Sequence, residues 1–188
     1  MKIDITKIEH RETFGTWLTN NGLVSHGAEI GCAFGGYANI LLASWPGFLY
    51  MVDPFKKHDD YRESTNETAP FEQWFLGCEA IAKASGRAIV IRDFSVEGAK
   101  QINDNCLDFA FIDGNHRYTA VLADLNAWYP KVKSGGVLCG HDYGNQTMEQ
   151  VPGWDCEVQR AVEDWLKDHP KMSYPHLTPC SSFWMLKP

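Results

Sequence analysis

Glu29-Ile30-Gly31-Cys32-Ala33-Phe34-Gly35-Gly36 is the stretch from which the rest of the chain can be read. Ala28 to Cys32 reads as a short strand entering a glycine loop. Tyr37, Ile40, Leu41 and Trp45 then recur at helical spacing until Pro46-Gly47 stops them. A strand, a loop of small residues and a helix in direct succession make a ligand-binding unit. Gly31, Ala33 and Gly35 let the backbone pass close to a ligand, and the first helical turn offers free N–H groups.

The same alternation continues outward. Phe14, Trp17 and Leu18 mark a short amphipathic helix before the first strand, ending near Asn20-Asn21-Gly22. Phe48 to Val52, Ala88 to Ile91 and Leu107 to Ile112 read as buried strands. Helical stripes lie between and after them, at Phe71 to Ala82, Ser95 to Ile102, Tyr118 to Tyr129 and Val158 to Leu166. In the third of these, Asp124 and Asn126 are expected off the apolar face. Ser134-Gly135-Gly136 reads as a turn before a strand over Val137 to Cys139. Strand-like pieces follow around Tyr174–Leu177 and Ser182–Leu186. Short apolar strands alternating with helices imply an α/β fold, a doubly wound parallel sheet with helices on both faces.

In such sheets ligands bind beyond the carboxyl ends of the strands. Three acidic features stand there. Glu29 lies two positions before Gly31, and the spacing Gly-x-Ala-x-Gly is not the dinucleotide pattern Gly-x-Gly-x-x-Gly. An acidic residue there suits a cationic ligand better than a pyrophosphate. Asp53 ends the second strand, where a carboxylate can accept two hydrogen bonds from a ribose diol. The next strand ends in Arg92-Asp93-Phe94-Ser95, with a polar side chain in reach of an adenine amine. A tight turn and solvated carboxylates would explain each feature alone. Their order at successive strand ends favours a ligand site.

Composition agrees. The chain has 188 residues, 44% of them apolar and 22% charged, which suits one globular domain over 1–188. Net charge is −7, against a generic nucleic-acid binder or an anionic membrane surface. Of the six cysteines, at 32, 78, 106, 139, 156 and 180, no two are spaced Cys-x-x-Cys. They are expected to be reduced core residues of a cytoplasmic protein. The N-terminus lacks an apolar signal region, and no apolar run approaches the roughly 18 residues of a membrane span. Residues 1–24 are expected to form a helical cap. The polar residues 56–70 are the candidate for a lid, with a plain solvated loop as the alternative.

From about residue 25 onward the chain resembles the class I S-adenosylmethionine-dependent methyltransferases. Phe111-Ile112-Asp113-Gly114-Asn115-His116-Arg117-Tyr118 and, after a helix, Lys133-Ser134-Gly135-Gly136-Val137-Leu138-Cys139-Gly140-His141-Asp142-Tyr143 look like the small-molecule O-methyltransferases of macrocin type and, more distantly, of catechol type. The resemblance implies a Rossmann-like sheet of seven strands, mostly parallel, with the last strand antiparallel. It implies S-adenosyl-L-methionine as cofactor, held by Glu29, Gly31, Ala33, Gly35, Asp53, Asp93, Phe94, Ser95 and Asp113. The acceptor would be a hydroxyl of a small molecule such as a sugar, a glycosylated metabolite or a diol.

In that sheet order Asp113 and Asp142 end neighbouring strands. Two carboxylates that close repel unless a cation or proton lies between them. Mg²⁺ with two protein carboxylates and a substrate diol is one solution. His141 stands where the resembled enzymes place an acidic residue, so Asp113, Asp142 and His141 would suit another divalent metal better. Asn115 stands where those enzymes place an acid that takes a proton. The base would then be His116 or His141. Tyr143 and Trp154 could stack on a substrate ring. A homodimer would help to close so small a cleft. Two other readings remain, a non-catalytic adenosyl-ligand-binding module and an NAD(P)-dependent oxidoreductase.

Overall fold

A computed structural model of the protein describes residues 3–56, 70–144 and 156–188. The expected lid, apart from Lys56 and Pro70, lies outside the described residues, as does Trp154. Two 3-10 turns, Ile5–Lys7 and Arg11–Thr13, lead into α1 (Phe14–Asn20). Then follow β1 (His26–Ile30), α2 (Gly36–Ser44), β2 (Phe48–Val52), α3 (Phe71–Ser85), β3 (Ala88–Ile91) and α4 (Ser95–Ala99). The second half has β4 (Leu107–Ile112), α5 (Tyr118–Trp128), β5 (Val132–Gly140), α6 (Val158–Asp168), β6 (His176–Thr178) and β7 (Ser182–Leu186).

The strands form one sheet in the order β3-β2-β1-β4-β5-β7-β6. The pairs from β3 through β5 are parallel; β7 runs antiparallel to both β5 and β6. The strand order reverses between β1 and β4, the point at whose carboxyl edge sheets of this kind bind ligands. This is the Rossmann-like fold that the sequence implied.

β4 shows why the sheet sits in the middle. All six of its residues are buried. Ala110 and Ile112 face a core with Val121, Leu125, Trp128 and Val162, while Phe109 and Phe111 face a second core with Phe14, Leu41, Trp45 and Trp184. Alternation puts successive side chains on opposite faces, and both faces are covered. Phe14 anchors the N-terminal segment to the second core. Its ring lies 4.4 Å from Trp184 and 5.2 Å from Phe109.

Several elements depart from the sequence reading. β5 runs through Ser134-Gly135-Gly136, where a turn was expected. Gly135 takes φ +77°, and the register with β4 shifts between Leu107 and Phe109, so the glycines absorb an irregularity inside a continuous strand. α4 stops at Ala99, short of Ile102. Asp124 is buried, 5% exposed, although it was expected off the apolar face. All six cysteines are free; Cys180 is exposed rather than in the core. Among the described residues no helix is long and apolar enough to cross a membrane.

Core truncation should separate the two kinds of aromatic. Phe14→Ala is expected to destabilise the chain by about 3–5 kcal/mol. Phe34→Ala, 65% exposed in the glycine loop, should stay within about 0.5 kcal/mol. Urea denaturation measures both, and equal costs would refute the core assignment.

Candidate functional site

The glycine loop is fixed from three sides. Gly31 N–H donates to the Val52 carbonyl at 2.8 Å, and Asp113 N–H donates to the Ile30 carbonyl at 2.7 Å. The ends of β1, β2 and β4 therefore meet at one point. Gly31 has φ +88°, and a Cβ there would run into the carbonyl of Asp113. Only glycine meets both conditions. Ala33 and Gly35 also take left-handed φ values, +45° and +80°. Asp53 holds the loop from β2. One oxygen accepts from Ala33 N–H at 3.0 Å and the other from Phe55 N–H at 2.7 Å. The Cys78 thiol donates to the Ala33 carbonyl at 3.4 Å from α3.

Glu29 lies behind this loop, 2% exposed, paired in register with Phe111. Its Oε2 has no hydrogen-bond partner among the described residues. Burial pushes its pKa well up, and the nearby charges of Asp113 and Asp53 push it further. An ionised carboxylate in that position needs a cation to stay charged.

Beside the loop stand two carboxylates and two imidazoles. Asp142 Oδ2 lies 3.1 Å from His116 Nε2 and 3.0 Å from His141 Nδ1. Asp113 Oδ1 lies 3.6 Å and 3.8 Å from the same two nitrogens. The sequence pointed to all four; the structure shows both histidines facing both carboxylates. Burial alone would raise the Asp142 pKa, but hydrogen bonds from His116 and His141 outweigh it and hold the carboxyl well below the usual range. The backbone is tied as well. His141 N–H donates to the Ile112 carbonyl at 3.1 Å and Glu157 N–H to the His116 carbonyl at 2.8 Å. The Cys156 thiol donates to the Asp142 carbonyl at 3.1 Å, joining the start of α6 to the loop after β5.

Asp113, His141 and Asp142 each offer a ligand atom within 4.8 Å of the others, a spacing that could hold a metal ion. Two carboxylates and one imidazole suit Mn²⁺, Fe²⁺ or Zn²⁺ better than an all-oxygen Mg²⁺ site.

The loop after β3 lies on the far side of the cleft. Asp93 accepts from Phe94 N–H at 2.9 Å, and Lys56 Nζ lies 4.5 Å from the centre of the half-open Phe94 ring. Ser95 turns inward instead. Its hydroxyl accepts from Trp128 Nε1 at 2.9 Å and hydrogen-bonds Asp124. Burial raises the Asp124 pKa to about 7, partly offset by that Ser95 bond and by the charge of His116. Tyr143 packs on Phe183 and bonds Glu163, so it is engaged with the core rather than open to a ring.

Sequence reasoning passed over Asp124 and Cys156. It also passed over Arg11, whose guanidinium lies over the Tyr37 ring at 5.6 Å. Asp124 had a signal, since it falls between Val121 and Leu125 on a buried stripe. Arg11 had none, being brought over Tyr37 by tertiary packing.

Comparison with known proteins fits this arrangement. A family model described as "Methyltransferase domain" matches residues 28–143. An uncharacterized protein of Acanthamoeba polyphaga mimivirus is 36% identical over 64 residues, 34% of this chain and 26% of that protein. The chain thus spans about a quarter of that curated relative's length. Among solved structures, a Staphylococcus aureus protein provisionally described as a caffeoyl-CoA O-methyltransferase has a TM-score of 0.64 at 13% identity, covering 95% of this chain and 82% of its own. A Methanococcus maripaludis protein provisionally described as S-adenosyl-L-methionine-dependent gives 0.63 at 15%, covering 94% and 84%. A Klebsiella pneumoniae protein provisionally described as an O-methyltransferase gives 0.62 at 11%, covering 95% and 80%. At these identities the likeness is one of fold.

Two substitutions test the buried acids. Glu29→Gln removes a desolvated acid and should raise the Tm of the ligand-free chain at neutral pH by a few degrees; a lower Tm would show that the carboxyl is satisfied. Asp124 keeps its proton up to about pH 7 when folded but releases it near 3.8 when unfolded. The folded state therefore loses stability as pH rises through that window. Asp124→Asn should flatten the loss by on the order of 2–4 kcal/mol between pH 4 and 7.5. Urea midpoints across the range with an unchanged slope would refute it.

Proposed function

We propose, from the premise that the chain belongs to the methyltransferase domain family, that it moves a methyl group from S-adenosylmethionine to a hydroxyl of a small molecule. The observation that carries this reading is the cluster of Asp113, His116, His141 and Asp142 at the switch point, joined to the glycine loop through the Asp113–Ile30 backbone bond. The donor offers an ammonium, a sulfonium and a ribose diol. Glu29 supports the cationic end, Asp53 the diol, and the loop of Asp93 and Phe94 the adenine.

Methyl transfer is an in-line displacement. The acceptor oxygen forms a bond to the methyl carbon, the carbon–sulfur bond breaks, and its electron pair stays on sulfur. The protein supplies orientation and removes the acceptor proton. His116 and His141 are the bases within the cluster. Asp142, 3.1 Å from His116 Nε2 and 3.0 Å from His141 Nδ1, would orient both rings. Asn115 takes no proton, and its Oδ1 instead accepts from Arg117 N–H at 3.1 Å, fixing the loop.

Asp113, His141 and Asp142 would hold a divalent metal, which when bound would lower the pKa of an acceptor hydroxyl. The acceptor class proposed is a sugar, a glycosylated metabolite or a diol. S-adenosylhomocysteine formation over a panel of sugars, phenols and carboxylic acids is the test. Turnover is expected with hydroxyl acceptors, with loss on EDTA and recovery with Mn²⁺. Full turnover after chelation would remove the metal. Binding of the donor without turnover of any acceptor, and with Asp142→Asn indifferent, would favour a non-catalytic binding module.

A further inference from the structure

The turn between β6 and β7 lies at the same edge of the sheet as Asp142. Gly140, the last residue of β5, pairs with Phe183 of β7, so β7 starts where β5 ends. The Ser181 carbonyl accepts from Tyr143 N–H at 2.8 Å and ties the turn to the loop after β5. Cys180 and Ser181 both take left-handed φ values there, +64° and +56°. Cys180 is exposed.

Its thiol is placed differently from the other five. Cys32, Cys78, Cys106, Cys139 and Cys156 each donate to a backbone carbonyl, a bond that needs the proton on sulfur. Cys180 Sγ instead lies 3.5 Å from His10 Nε2. That imidazole is itself fixed. Its Nδ1 caps the Arg11–Thr13 turn by accepting from Glu12 N–H at 3.3 Å. The Glu12 carboxylate is 3.9 Å from the same nitrogen, beyond hydrogen-bond reach. With Nδ1 as an acceptor, the proton of neutral His10 is assigned to Nε2, directed at the sulfur. The neighbouring backbone is held by the core. Ile8 is 1% exposed, and the buried Tyr37 donates its hydroxyl to the Arg11 carbonyl at 3.1 Å. A ring N–H aimed at sulfur is accepted weakly by a thiol and well by a thiolate, the nucleophilic form of cysteine.

We infer that Cys180 and His10 form a thiol site that reacts with hydroperoxides, at the rim of the candidate site and independent of its methyl-transfer reading. Cys180 ionises by releasing its proton to water, and His10 Nε2–H donates to the sulfur. The sulfur attacks the nearer oxygen of the peroxide. The sulfur–oxygen bond forms, the oxygen–oxygen bond breaks, and its electron pair leaves on the far oxygen as hydroxide, which takes a proton from water. Sulfur is oxidised by two electrons to the sulfenic acid, and the peroxide is reduced to water. A small uncharged oxidant meets no repulsion from the Glu12 carboxylate beside the pair.

Peptide mapping by mass spectrometry tests this on the full chain, treated with hydrogen peroxide while dimedone traps sulfenic acid. The half-exposed Cys106 is the internal reference. Cys180 should be trapped about 10-fold faster than Cys106. His10→Asn keeps a side chain able to cap Glu12 N–H but withdraws the imidazole. It should slow Cys180 by about 5- to 10-fold and leave Cys106 unchanged. Unfolding the wild type in urea dissolves the pair without any substitution and should bring the two rates together. Trapping of Cys180 at the wild-type rate in His10→Asn shows that exposure alone sets its reactivity and overturns the inference. A folded wild type in which Cys180 reacts no faster than Cys106, or a ratio that survives in urea, overturns it as well.

Discussion

The ends of β1 and β4 approach so closely that no side chain fits between them, and the site is built outward from that contact. Gly31 faces the Asp113 carbonyl at φ +88°, with the Asp113–Ile30 backbone bond beside it. From there β1 turns into the loop that leads to α2, and β4 turns into the loop that carries Asp113 and His116. A bulkier residue at Gly31 would displace both loops at once. The two loops of the candidate site therefore share one mechanical origin. This is also why the reversal of strand order matters. The crossovers diverge to opposite faces, and the crevice between them is lined by whatever the two strand ends present.

That edge concentrates negative charge, and the fold offsets each carboxylate differently. Asp53 receives two backbone N–H groups. Asp142 receives two imidazoles and is held ionised. The stability it contributes is present above the ordinary carboxylate range and is lost as pH falls through its lowered pKa. Asp113 faces the same two rings at longer range. The result is a cluster that is electrostatically consistent whether a proton or a metal lies between the carboxylates. The imidazole of His141 narrows which metals would suit it.

Much of the fold was legible because apolar runs ended in unambiguous punctuation. β2, β3, β4 and β7 match their sequence boundaries, since Asp53, Arg92 and Asp113 close the parallel strands sharply. Gly86 ends α3 in the left-handed conformation that such a residue signals. β5 was misread because Gly135-Gly136 carries the same local signal in a turn and in a strand irregularity. Only pairing with β4 and β7 decides between them. The site was legible where it lies at strand ends in chain order. Cys156 was not, because its thiol meets the Asp142 carbonyl only through tertiary packing, across 14 residues of chain.

Glu29 and Asp124 show how one observation can carry opposite meanings. Both are buried acids whose pKa burial pushes up. Asp124 hydrogen-bonds Ser95 and feels the charge of His116, so its proton and its partners already complete a network that joins α4 to the loop after β4. It needs nothing from outside. Glu29 has neighbours of its own sign and one oxygen without a partner. A desolvated acid left in that state costs stability in every ligand-free molecule. Its ionised form becomes favourable only when a positive group arrives. In the proposed site it is the missing partner at Glu29, rather than its acidity, that would receive the cationic end of the donor.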